Sequence, residues 1–70
     1  MTLAVVFKMI YGPNHWTIER EEIDHMVIEV PDDHYNTILD EINKIIDAEN
    51  IPDLISVQIL GYRYVEKAVQ

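Results

Sequence analysis

The chain has no cysteine, one serine, two glycines, one tryptophan, and five lysines and arginines against thirteen aspartates and glutamates. Each shortage excludes something. Without cysteine there is neither a disulfide nor a thiolate zinc site, so a core of only 70 residues must be held by packing, by association, or by both. The glycines, Gly12 and Gly61, stand alone and far apart, so no phosphate-cradling glycine loop exists. Ser56 lies inside an apolar run, no histidine is placed to activate it, and Thr2, Thr17 and Thr37 lack partners, which leaves nucleophilic catalysis without a nucleophile. The shortage of basic residues gives a net charge of -8. Phosphate binding needs a basic footprint, so direct contact with nucleic acid or an anionic membrane is not expected. Met1–Phe7 lacks the positively charged start of a signal peptide, and Lys8 interrupts it too early for a membrane span. A soluble, cytoplasmic chain forming one small domain over residues 1–70 is the expectation.

What is present is unevenly spread. Residues 19–53 hold twelve acids against Arg20 and Lys44, while the two ends together carry a small positive excess. Periodicity orders the rest. "LAVVFKMIY" (3–11) is rich in β-branched and aromatic residues and ends at Gly12-Pro13-Asn14, which predicts a strand and a reversal. Residues 15–30 read as extended, with Trp16 and Ile18 on one face and Met26, Ile28 and Val30 sharing another; "EREE" (19–22) reads either as a solvated stretch of one long strand or as a turn separating two short ones, and the second reading is favoured. Beyond Pro31, Tyr35, Ile38, Leu39, Ile42, Ile45 and Ile46 recur at helical spacing, so residues 32–50 are expected to form a helix capped by Asp32 or Asp33. Asn50 suits the left-handed position that ends it, and Pro52 blocks continuation. Residues 54–66 return as a strand, with Ile55, Val57 and Ile59 on one face, Leu60, Tyr62 and Tyr64 on the other, and Gly61 marking a bulge or bend.

This order implies an α+β, two-layer sandwich: one amphipathic helix on a mostly antiparallel sheet of three or four strands. A helix of about 18 residues is roughly 27 Å long and 10 Å wide, and cannot cover both faces of a sheet roughly 15 to 20 Å wide. Yet 3–11 is apolar on both sides, where a half-solvated strand would alternate with polar residues. The uncovered face is therefore expected to meet another molecule, a homodimer partner first, through Val6, Ile10, Trp16, Leu60, Tyr62 and Tyr64.

"EIDHMVIEVPDDH" (22–34) packs two histidines among five carboxylates and raises the question of a metal site. Neighbours on a strand point to opposite faces, so Asp24 and His25 cannot share an ion. Only His25, Glu29 and His34 could converge, as a two-histidine, one-carboxylate set, and their spacing matches no zinc signature. No cofactor is expected. The acids have another use. Asp33, Asp40 and Asp47 recur every seventh position, about 10.5 Å apart along a helix, flanked by Glu41 and backed by Glu19, Glu21 and Glu22. Such a face suits a basic protein partner rather than nucleic acid.

Two functions follow. The first is a non-catalytic acidic interaction module that inhibits a basic or nucleic-acid-handling protein. In size and charge alone, the chain is similar to the short, acidic, cysteine-free inhibitors encoded by phages and mobile elements, including anti-CRISPR proteins and nucleic-acid mimics; a viral protein acting in the host cytoplasm is what that likeness implies. The second is a dimeric small-ligand binder or enzyme, with a pocket where two sheets meet, lined by Trp16, Tyr62, Arg63 and Tyr64.

Overall fold

Ten residues of β-branched and aromatic character at the start of the chain become the centre of the molecule. The computed structural model describes residues 1–66 and places β1 (Thr2–Tyr11), β2 (Arg20–Glu29), α1 (Tyr35–Ala48) and β3 (Leu54–Tyr64) in that order. The strands pair as β2-β1-β3, antiparallel throughout, so the fold is α+β, one helix on a three-stranded sheet. Both neighbours of β1 are edge strands.

Alternation along β1 decides which side is core. Leu3, Val5, Phe7, Met9 and Tyr11 are buried with Ile28 and Val30 against Ile38, Ile42 and Ile46 of the helix. The intervening Ala4, Val6, Lys8 and Ile10 project to the other face, which no element among the described residues covers. Each fully buried member of the first row contributes about 1.5–3 kcal/mol relative to an exposed position, enough for one row to fix the register.

The helix is shorter than its apolar stripe suggests. It begins at Tyr35 because His34 is extended (φ −67°, ψ 142°) and no side chain caps the first turn. The acids expected to cap it are occupied elsewhere: Asp32 Oδ1 accepts the His34 N–H at 3.0 Å, and Asp33 accepts hydroxyls from β3. Tyr35, expected on the buried stripe, is exposed, whereas Leu39 and Ile45 are half-buried. The far end follows expectation, with Asn50 at φ 50° and Glu49 and Asn50 N–H groups donating to Ile46 and Asp47 carbonyls at 3.0 and 3.2 Å.

Two corrections concern the strands. "EREE" is not a turn: Arg20, Glu21 and Glu22 stand opposite Tyr11, Ile10 and Met9 in β2, so 15–30 holds one strand, and Trp16 and Ile18 lie in the preceding loop. An edge strand with solvent on both faces tolerates that charge, which also guards its open edge. In β3 the pairing slips between Val6 and Phe7, with Gly61 opposite Val6 and Ile59 opposite Phe7, leaving Leu60 as an extra residue. Such a bulge reverses the alternation. Tyr62, opposite Val5, and Tyr64, opposite Leu3, therefore return to the helix side instead of sharing the open face with Leu60.

A helix of fourteen residues is about 21 Å long, whereas ten-residue strands reach about 34 Å. The hairpin outruns its cover. Every residue from 13 to 25 is exposed, and the molecule measures 46 × 21 × 20 Å with a radius of gyration of 13.4 Å, against about 11 Å for a compact chain of this length.

Candidate functional site

The projecting hairpin is the first surface with recognisable character. Its loop is tied at the base, where the Glu19 N–H donates to the Tyr11 carbonyl at 2.8 Å and the Gly12 N–H to that of Asp53 at 2.9 Å. At the tip, the Trp16 N–H donates to Asn14 Oδ1 at 2.9 Å, an Asx turn that orders the backbone and leaves Trp16 93% exposed. Ile18, in the same loop, and Ile23, further along in β2, are also exposed. At the root of this arm the Arg20 guanidinium stacks 4.1 Å above the Tyr11 ring, with Nε 3.3 Å from Glu22, closing the core with a cation–π contact.

The seven acids expected on one face are divided among several surfaces. Glu21 lies on the open sheet face, 3.7 Å from Lys8; Glu22 is on the helix side with Arg20; Glu19 has no cationic partner among the described residues. Asp40 and Asp47 are exposed on the helix, and Glu41 is half-buried. Asp33 belongs to a cluster of its own.

In that cluster the Tyr62 hydroxyl donates to Asp33 Oδ2 at 3.0 Å, and the Tyr64 hydroxyl donates to the same oxygen. The two rings meet edge to face with centroids 6.0 Å apart. The hydroxyls of Tyr64 and then Tyr62 hold Asp33 below the usual carboxylate range, and the hydrogen bond that Tyr64 donates to this carboxylate, more than the charge itself, pushes Tyr64 up to about 12. This contact latches the start of the helix to the end of β3. A depressed carboxylate contributes stability above its unfolded pKa and loses it as pH falls; a raised tyrosine contributes below pH 10 and loses it as pH rises towards 12. The latch is therefore expected to act across neutral pH and fail at both extremes. Phenolate absorbance should show one tyrosine titrating near 12, and Asp33→Asn should return it to the ordinary range; an unchanged titration in the variant would refute the latch.

The open sheet face is the second surface. It presents Ala4, Val6 and Ile10 from β1, Ile23, His25 and Val27 from β2, and Leu60, Gly61 and Arg63 from β3. Ile23 and Val27 are 67% and 61% exposed and Val6 41%. Val6, His25, Leu60, Gly61, Tyr62 and Arg63 border a shallow depression of about 530 Å³, which exists because Gly61 has no side chain and open space lies where one would stand. Of the six apolar residues expected here, Val6, Ile10 and Leu60 are on this face; Trp16 is on the arm, and Tyr62 and Tyr64 are on the helix side. Of the four expected to line a ligand pocket, Tyr62 and Arg63 border the depression, and Trp16 and Tyr64 do not.

His25, Glu29 and His34 do not converge. His25 and Glu29 are on the open face of β2, whereas His34 precedes the helix beside Asp32. Among the described residues, no group of three histidine, cysteine, aspartate or glutamate side chains is arranged to hold a metal ion. No helix there is long and apolar enough to cross a membrane.

Taken as one strand, residues 20–29 alternate and place Ile23 and Val27 on the face opposite Met26 and Ile28; a turn at "EREE" hides Ile23, whereas Val27 follows from the Met26, Ile28, Val30 row alone. Comparison with protein-family models, with curated proteins and with solved structures gives no match.

Proposed function

We propose that this chain is a non-catalytic, acidic protein-interaction module that works as a homodimer in the cytoplasm and binds a basic partner, with inhibition of a nucleic-acid-handling protein as the role its size and charge suit. The observation that carries this reading is the arm from Pro13 to Asp24: an exposed tryptophan on an ordered turn, exposed Ile18, and the exposed acids Glu19, Glu22 and Asp24 along the same stretch. Tryptophan is enriched among residues that dominate binding energy, and surrounding charge speeds encounter with a partner of opposite sign.

The test begins with capture of partners on the immobilised chain and their identification by mass spectrometry, followed by affinity measurements across ionic strength. Binding should weaken steeply with salt. Reversing Glu19 and Asp24 to lysine should abolish most of that salt dependence. Trp16→Ala should weaken binding on the order of 30-fold, about 2 kcal/mol, while changing stability by no more than about 0.5 kcal/mol, because the side chain is almost wholly exposed. Salt-insensitive binding that survives all three substitutions would reject the reading.

A second reading, a homodimer holding a small ligand where two sheets meet, draws on the depression beside His25 and Arg63. There Arg63→Ala should abolish ligand binding, and the arm substitutions should have no effect.

A further inference from the structure

The charges of this chain are not spread evenly over its surfaces, and the exception is informative. The strand residues of the open face carry two acids, Glu21 and Glu29, and two bases, Lys8 and Arg63. This face is therefore neutral on a chain of net charge -8. It also carries Val6, Ile23, Val27 and Leu60, all exposed. Two copies meeting through the helix or through the loop-proximal part of β2 would bring acidic surfaces together at a cost. Here they would bring apolar residues together with balanced charge.

The area suffices. Three strands spaced about 4.8 Å and ten residues at about 3.3 Å make a face roughly 15 × 33 Å, about 500 Å² from each copy. The sum, about 1,000 Å², reaches the lower bound for a specific interface.

Charge also selects the arrangement. A two-fold axis running across the strands would lay β2 on its own copy in reverse, setting Glu21 against Glu29 of the second molecule. An axis running along the strands lays β2 over the other copy's β3. Val27 then faces Arg63, because both stand opposite Ala4, and Glu29, opposite Thr2, lies two residues or roughly 7 Å further along the same face, within the span of the arginine side chain. His25 lies over Gly61, because both stand opposite Val6. The depression at Gly61 receives side chains from the facing β2, and two symmetry-related Glu29–Arg63 pairs close the rim. Within its own molecule the Glu29 carboxylate accepts the Thr2 hydroxyl.

We propose that a second copy of this chain occupies the open sheet face, with β2 of each molecule over β3 of the other, leaving the loop with Trp16, Ile18 and Glu19 of each copy outside the contact. This deepens the homodimer part of the reading above and is independent of the basic partner.

Sedimentation equilibrium at about 100 µM, where even a weak interface is populated, tests it. The wild type should have twice the mass of the 8.2 kDa chain. Val6→Lys should sediment as a monomer with an unchanged circular dichroism spectrum; Val27→Lys, at a still more exposed position, serves the same purpose should the first variant misfold. Arg63→Glu and Glu29→Arg should each weaken association at least tenfold, and the double exchange should restore it. A monomeric wild type, or a dimer indifferent to both lysine variants, would overturn the interface. A double exchange that restores nothing would overturn the β2-over-β3 arrangement. Substitutions at Trp16, Glu19 and Asp24 should leave the mass unchanged, so loss of the dimer and loss of partner binding are read separately.

Discussion

Phe7→Ala is expected to leave a large fraction of the chain unfolded at room temperature. Phe7 is 1% exposed, sits mid-way along the central strand, and is the largest of the fully buried side chains. Truncating a buried phenylalanine costs about 3–5 kcal/mol in lost transfer energy and residual cavity. A chain of this length has about 3.5–10 kcal/mol in total, at roughly 0.05–0.15 kcal/mol per residue. No disulfide or second core can compensate. Urea titration followed by circular dichroism should show the midpoint falling by half or more, whereas Ile23→Ala, on an exposed site, should move it little. Equal effects of the two would mean that the helix does not cover the side of the sheet on which Phe7 lies.

Gly12→Ala is expected to be nearly as damaging, for a different reason. A β-carbon at Gly12 would stand 1.8 Å from the Thr17 carbonyl oxygen, 3.0 Å from its carbon and 2.8 Å from Ile55 Cδ1. The first two are backbone atoms and cannot rotate away, so the loop must open. Opening it threatens the Glu19-to-Tyr11 and Gly12-to-Asp53 hydrogen bonds that tie the arm to the sheet. Overpacking of this kind costs about 3 kcal/mol. Thermal unfolding should show the loss, and amide exchange should show it concentrated at residues 11–20. Gly61→Ala is the control: nothing lies within 4 Å of its added carbon, and a small change in stability is expected there. A mild Gly12→Ala would contradict the close approach of strand end and loop.

The helix and the alternation of β1 were legible because apolar side chains recur there at periods of about 3.6 and 2 over more than two turns or four pairs. The buried row from Leu3 to Tyr11 and the isoleucines at 38, 42 and 46 follow from spacing alone. Three features were not legible, and each turns on an event that pattern does not encode. The bulge at Leu60 flips two tyrosines to the helix side, and Gly61 marked its place without giving the direction of its effect. Asp33 has the chemistry of a helix cap, but partners 29 and 31 residues away outcompete the local one. "EREE" looks like a turn because charge usually lies outside sheets, yet on an edge strand beyond the reach of a short helix it stays exposed and pairs with Lys8, with Tyr11 and within itself. The acids lose their single face for the same reason: alternation along β2 sends Glu21 and Glu22 to opposite sides.

The arm as contact surface is tested most directly by the emission of Trp16, the single tryptophan of the chain. In the free protein it should emit as a water-exposed indole and be fully accessible to a soluble quencher. In a saturated complex with the captured basic partner, prepared with a tryptophan-free variant of that partner, its emission should shift to shorter wavelength and resist quenching. Emission and quenching unchanged at saturation would place the contact elsewhere and contradict the proposed role of the arm.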